Sequence, residues 1–515
     1  MEVNSLGLLE KTIQKGITTK VFNRNTNEET VKTQDLTTAY EYDLAGRLVA
    51  EVTPENYVGY KDGEGLLAAG TTNKTEYVYD KQGRLIAKAF RGNIKTYNDY
   101  TKEFDEKERY IVIEAYKYDA NGNVIKKVDG EAYNKAYENA VTQQKSVAIE
   151  AIINDAYGVE YTYNLANQLE TIKNPEFTGA NGRNYNIKYS YDGLGRIVSE
   201  TTAYGLNKTL VTEVYGVPVQ VSALSYSHTK YLYDDVNRKL DVIVIDNVDN
   251  PLYTEYRLRT EYYDYAGNIK KIVDANGNET SYEYNSLGLQ RSVTYPGDSS
   301  IPANNVVYKY DSMGNLRYQK DSVGNVKEYE YDLFSRITGE KTYGTDDDNA
   351  NETEVRYLYD LYGNVKYKID ANKTVTRYEY DELGRLTRSV IDNVKVIDPT
   401  TGVDSTTRTS THETLNYYDK NGNVLHEVTK VTEKDKSKNT TKSSYSVYSY
   451  EYDGMGRLVR KIDPVGNIIE KINYNRNSAQ IESYDGEDHK KTFEYNKDGK
   501  LSVTKQRNES GEYIV

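Results

Sequence analysis

Residues 40–52 read Tyr-Glu-Tyr-Asp, then Leu-Ala-Gly-Arg, then Leu-Val-Ala-Glu-Val. Apolar and polar positions alternate, stop for four residues, and resume. A period of two is the signature of a strand with one apolar face. The interruption carries turn chemistry: Asp43 can accept a backbone N–H at the first position, and Gly46 tolerates positive φ at the fourth. The pattern predicts a two-stranded hairpin closed by a type I turn with a left-handed glycine and a bulge. Pairing across that turn sets Tyr42 opposite Leu48 and Tyr40 opposite Ala50. Tyr40, Tyr42, Leu48, Ala50 and Val52 are then expected on one face, with Glu41, Asp43, Arg47 and Glu51 on the other. The same arrangement is expected for Tyr450, Tyr452, Leu458 and Ile462.

The phrase recurs along the whole chain as Y-x-Y-D-x-x-G-[R/N]-[L/I/V], in sixteen strict or loose copies. The residues expected to build the repeat are typified by four of them: Tyr40, Tyr42, Asp43, Gly46 and Arg47; Tyr189, Tyr191, Asp192, Gly195 and Arg196; Tyr378, Tyr380, Asp381, Gly384 and Arg385; Tyr450, Tyr452, Asp453, Gly456 and Arg457. In the densest region the Asp/Asn position falls at 264, 285, 311, 332, 360 and 381, so the unit is about 21 residues and longer spacings are insertions. A second turn phrase, D-x-x-G-N, lies between copies at Asp274, Asp321 and Asp463. One such hairpin buries too little to stand alone. Neighbouring hairpins are therefore expected to pair edge to edge into one long antiparallel ribbon, which must coil or split because twisted sheets of that width do not stay flat.

Four stretches leave the pattern. Residues 131–157 place Ala132, Tyr133, Ala136, Tyr137, Ala140 and Val141 at helical spacing, which predicts a small helical insertion lying against the ribbon. Residues 91–110 and 392–415 read as polar loops, and 430–443 as a basic, solvated hairpin tip. Asp346–Asn349 lacks the spaced ligands of a calcium loop and reads as an exposed acidic turn.

Composition narrows the function. The net charge is −13, the opposite of the concentrated positive field that nucleic acid requires. No apolar run is long enough to span a membrane. With no cysteine, thiol chemistry and zinc–thiolate sites are excluded. Mean hydropathy of −0.81 would fit a disordered chain, but 54 tyrosines against 6 phenylalanines and no tryptophan demand a structure that uses one amphipathic ring repeatedly. His228, His412, His426 and His489 are scattered without metal spacing, and no catalytic motif occurs. No catalytic, metal or cofactor site is expected. Tyrosine with Asp, Asn and Arg is also a sugar-binding palette, which keeps a carbohydrate-binding or adhesion module as the alternative.

The sixteen copies resemble the Rhs/YD-repeat family, which includes the shells of bacterial polymorphic toxins, toxin-complex C subunits and the teneurins. The resemblance covers essentially the whole chain. It implies an all-β fold in which the ribbon coils into a spiral, partly hollow shell, here a single segment over 1–515. It also implies an encapsulating scaffold of a large secreted or cell-surface bacterial protein, whose partner is a C-terminal toxin or cargo polypeptide. Surface glycans are the partner under the alternative. No family cleavage residues can be placed on this chain. Asn4–Leu8 repeats Asn285–Leu289, and the chain closes in repeat idiom, so a segment truncated at both ends is expected.

Overall fold

A computed structural model describes residues 1–57, 73–177, 183–214, 217–245, 255–297, 303–344, 352–397, 403–507 and 513–514, with side chains described outside 204–225 and up to 506. The acidic turn expected at Asp346–Asn349 lies outside the described residues. The described residues form 35 strands of one antiparallel sheet and two helices. Strands pair with their neighbours in sequence, as Glu28–Tyr42 does with Leu9–Asn23 on one side and Leu48–Val52 on the other. The chain divides into two compact units, residues 1–160 with 376–515, and residues 161–375.

The turns form as local chemistry dictates. Asp43 N–H donates to Arg47 O (3.0 Å) and Gly46 N–H to Asp43 O (2.9 Å), and Gly46 sits at φ +79°. Asn4–Leu8 and Asn285–Leu289 close in the same way.

The facing of the strands departs from the alternation read along the sequence. Tyr42 does pair with Leu48, but Glu41 pairs with Ala50 and Tyr40 with Glu51, so Val49 is an extra residue. That bulge shifts the second strand by one position, and a one-residue shift exchanges the faces. Ala39, Ala50 and Val52, all fully buried, form a core cluster on the face opposite Tyr40 and Tyr42. The same correction applies at the late copy, where Tyr450 pairs with Lys461 and Ile462 with Ser449. Tyr189 likewise faces Glu200, and Tyr378 faces Ser389. The ribbon therefore has a tyrosine face with cross-strand polar partners and a second face whose core is built from small aliphatics.

Helices α1 (Gly130–Thr142) and α2 (Ile149–Asp155) occupy the insertion. Asp129 caps α1 by accepting from Ala132 N–H at 2.8 Å, which satisfies one of the free N–H groups of the first turn. Both helices pack on the small-aliphatic face: Ala132, Tyr133, Ala140, Ile152 and Ile153 join Ala87, Ala89, Val112, Ala115 and Val128 in one core. Burying each isoleucine contributes about 1.5–3 kcal/mol.

Two of the expected loops are strands. Residues 91–110 belong to Leu85–Asn98 and Glu103–Tyr118, joined by a tight turn at 98–102. Residues 392–415 belong largely to Leu386–Ile397 and Asp404–Tyr418, with Asp398–Gly402 outside the described residues. The basic stretch 430–443 spans Val424–Asp435 and Thr440–Tyr452 and the turn between them. These arms lack a continuous apolar face because an extended neighbour already satisfies their backbone groups, and Thr, Tyr, Val and Ile favour the pleated chain.

In the first unit the arms and turns of the last 140 residues lie against the first 160. Tyr97, on the arm, donates its N–H to Asn473 Oδ1 (2.8 Å), while Asn473 Nδ2 donates to Tyr97 O (3.0 Å). Tyr97 OH donates to Asp488 (3.0 Å), which also pairs with Lys471, and its ring meets Tyr484 edge-on at 4.9 Å. Phe22 packs on Tyr417 at 5.1 Å within a core completed by Val428 and Val447. The ribbon thus returns to lie along its own beginning.

Candidate functional site

The unit that recurs is a joint between consecutive hairpins, built upward from the turn aspartate. Asp43 Oδ1 accepts from Ala45 N–H (2.9 Å) and Arg47 N–H (3.0 Å), and its Oδ2 accepts from Arg47 Nε (2.7 Å). The same three bonds bind Asp192 to Arg196, Asp381 to Arg385 and Asp453 to Arg457. Where the fifth residue is Asn, its side-chain amide takes the guanidinium's place, as Asn123 Nδ2 does on Asp119 Oδ2 at 2.9 Å. That explains the R/N alternation: each side chain puts an N–H where the second carboxylate oxygen can accept it. These bonds hold the carboxyls of Asp43 and Asp192 below their ordinary range. Gly195, Gly384 and Gly456 adopt the same positive φ as Gly46.

The arginine then reaches the next hairpin. Arg84 Nη1 donates to Asp119 O (2.7 Å), Arg385 Nη1 to Asp419 O (3.0 Å) and Arg457 Nη1 to Asn475 O (3.2 Å). Its guanidinium lies over the ring of the tyrosine preceding that Asp or Asn: Arg47 over Tyr79 (4.8 Å), Arg196 over Tyr233 (4.1 Å), Arg385 over Tyr418 (4.6 Å) and Arg457 over Tyr474 (4.9 Å). Such cation–π contacts contribute about 0.5–1 kcal/mol where partly exposed.

The tyrosine closes the joint. Tyr79 OH donates to Leu48 O at 2.8 Å, the carbonyl five residues after the Asp of the preceding hairpin. The bond recurs at Tyr118, Tyr191, Tyr233, Tyr284, Tyr331, Tyr359, Tyr418, Tyr452, Tyr474 and Tyr495, with lengths from 2.6 to 3.1 Å. Burial raises the phenol pKa at Tyr79, Tyr118, Tyr191 and Tyr474, so the hydroxyl stays a donor.

The twenty residues expected to build the repeat thus take different places. The aspartates, glycines and arginines sit together in each turn. Tyr191 and Tyr452 bond back to the preceding hairpin. Tyr42 and Tyr380 pair with Leu48 and Leu386 across their own hairpins, and Tyr40, Tyr189, Tyr378 and Tyr450 lie two positions earlier on the same face. What the repeat alone does not reveal is that one hairpin's tyrosine and the previous hairpin's arginine form a single device. The excess of Tyr over Phe is the signal that could have found it, because only the hydroxyl distinguishes the two.

Residues 263–300 and 359–393 match the family model for the RHS Repeat. The chain has no match among curated proteins. It is similar to the crystal structure of TcdB2-TccC3-TEV, at 13% identity and a TM-score of 0.32, over 98% of this chain and 30% of that one. It is also similar to the Tc holotoxin pore of Photorhabdus luminescens, at 12% identity and a TM-score of 0.32, over 98% and 29%. The chain therefore spans less than a third of the length of either. Each matched window runs from one Asp-headed turn, through a return turn at Asp274 or Asp370, to the next Asn- or Asp-headed turn. Turns of that construction, linked by the same tyrosine bond, extend from Asp43 to Asn496, so the two stretches that match the RHS Repeat lie within a series of units built alike.

Proposed function

We propose that the chain is a length of wall from an encapsulating shell, part of a large secreted or surface bacterial protein that holds a polypeptide toxin or other cargo. Residues 1–515 are read as one segment of that wall, and the turn and tyrosine residues named above as its structural repeat. The observation that carries the reading is the return of the ribbon onto itself: the last hairpins of the first unit lie on the first ones, through hydrogen bonds between residues 338 to 439 apart in sequence. A sheet that comes back along its own edge is the beginning of a coil, and a coil of one-layer sheet leaves an interior.

The carbohydrate-binding alternative draws no comparable support. At the joints the rings that could stack on sugars carry guanidinium groups, and their hydroxyls are bonded to carbonyls. Electron microscopy of the full chain tests the enclosure: a curved wall around a solvent-filled space is expected, and a solid particle would contradict it. Protease protection of the cargo segment in the parent polypeptide tests the second half. Cleavage as fast as in the free segment would remove the encapsulating role.

A further inference from the structure

In the first unit, successive turns of the late hairpins meet successive hairpins of the early ribbon one to one. Glu382 Oε2 accepts from Thr18 N–H (3.3 Å), and Asn421 Oδ1 from Glu55 N–H (3.0 Å). Gly454 N–H donates to Asn93 O (3.0 Å), and Asn477 Oδ1 accepts from Glu131 N–H (2.8 Å). All four late residues occupy the second or third position of an Asp- or Asn-headed turn. Glu55 and Glu131 follow the ends of Leu48–Val52 and Val124–Asp129, on the return side of their hairpins, and Thr18 and Asn93 stand at a similar distance from their turns inside the longer strands Leu9–Asn23 and Leu85–Asn98. The turn edge of the late hairpins therefore mates with the return side of the early ones.

The second unit has the same two kinds of edge. Its tyrosine-led Asp/Asn turns, headed by residues 164, 192, 234, 264, 285, 311, 332 and 360, are separated by pairs of strands and fall on one edge, whereas the turns headed by Asp274, Asp321 and Asp370 fall on the return edge. Strand spacing sets neighbouring tips roughly 10 Å apart. The tips carry large apolar side chains, among them Leu165, Leu194, Leu287, Met313, Phe334 and Leu361. At the third turn position Leu194 is 77% exposed and Leu287 and Met313 are each 64% exposed, whereas Leu383 and Met455, in the same position at the mated edge, are partly buried. A row of exposed apolar groups of this length marks an interaction surface. Its complement is also present: Val323, exposed on the return edge, follows Asn315 as Glu55 follows Arg47.

We infer that this turn edge of the second unit docks the return edge of a second copy of the chain, repeating between molecules the edge-to-edge contact that the first unit makes within itself. The contact uses two different edges and is therefore heterologous, adding copies head to tail.

Sedimentation velocity of the full chain across a concentration series is the test. Reversible association is expected, weakened about tenfold or more by Phe334→Lys with Leu361→Lys, and independently by Val323→Lys on the other edge. These side chains are exposed, so circular dichroism and Tm should not change. Lys327→Glu, on a strand face, should leave association as it was. A chain that stays monomeric at its highest soluble concentration overturns the inference, as does association indifferent to either edge.

Discussion

At the scale of single residues, the tyrosine hydroxyl is what the repeat selects. Tyr474→Phe keeps the ring beneath Arg457 and removes only the bond to Leu458 O, so a loss of about 1 kcal/mol is expected in chemical denaturation. Arg457→Lys should cost a comparable amount, because an ammonium cannot bond Asp453 and Asn475 O while lying flat on the ring. The phenols also set an alkaline limit. Tyr77 and Tyr263 are pushed up to about 12, first by burial and then by the carboxylates of Glu51 and Glu261. A phenol that the fold keeps protonated contributes its full stabilisation below pH 10, and that contribution is lost as pH climbs from 10 to about 12. Tyrosinate absorbance and loss of β-sheet ellipticity should therefore rise together in that window. Complete tyrosinate formation below pH 10 would contradict this.

At the scale of the hairpin, the bulge decides which residues make the core. Val459 is fully buried and is the extra residue between the pairs Tyr452–Leu458 and Glu451–Arg460. Deleting it leaves Arg460, Lys461 and Ile462 opposite the same partners but removes a fully buried valine and the local twist of the bulge, so a loss of about 1.5–3 kcal/mol is expected in chemical denaturation. The turn is equally constrained. Gly46→Ala asks an L-residue to hold φ +79° with its Cβ 3.4 Å from Leu8, and a loss of about 1–2 kcal/mol is expected. The bulge was legible in the turn phrase itself, since a left-handed glycine after a type I turn announces it. Its consequence for facing was not, because counting residues along the sequence does not show which residue of the second strand goes unpaired.

At the scale of the molecule, stability rests on contacts that no local pattern encodes. Asn473 is 2% exposed and bonds both backbone groups of Tyr97. Asn473→Ala strands those two groups, and roughly 2–4 kcal/mol should be lost, read most directly as faster hydrogen exchange at the Tyr97 amide. Gly454 is needed for a related reason: a Cβ there would lie 2.4 Å from Asn93 O. Nothing in the phrase Asp453-Gly-Met-Gly456 announces that its second residue faces another part of the ribbon. The insertions show the same limit. Residues 91–110 look like a solvated loop in isolation, and they become an arm because Asn473, Asp488 and Tyr484 receive Tyr97.

The sequence by itself determined the all-β class, the period near 21 residues, the turn chemistry of Asp, Gly and Arg/Asn, and the helices of the insertion. Those features arise among residues a few positions apart, where hydrogen-bond geometry and φ preferences act alone. Only the tertiary structure decided which face holds the core, how each tyrosine ties back to the hairpin before it, and where the ribbon meets its own beginning. These depend on register between strands and on partners hundreds of residues away, and a repeat whose copies are nearly identical carries no mark to say which copy meets which.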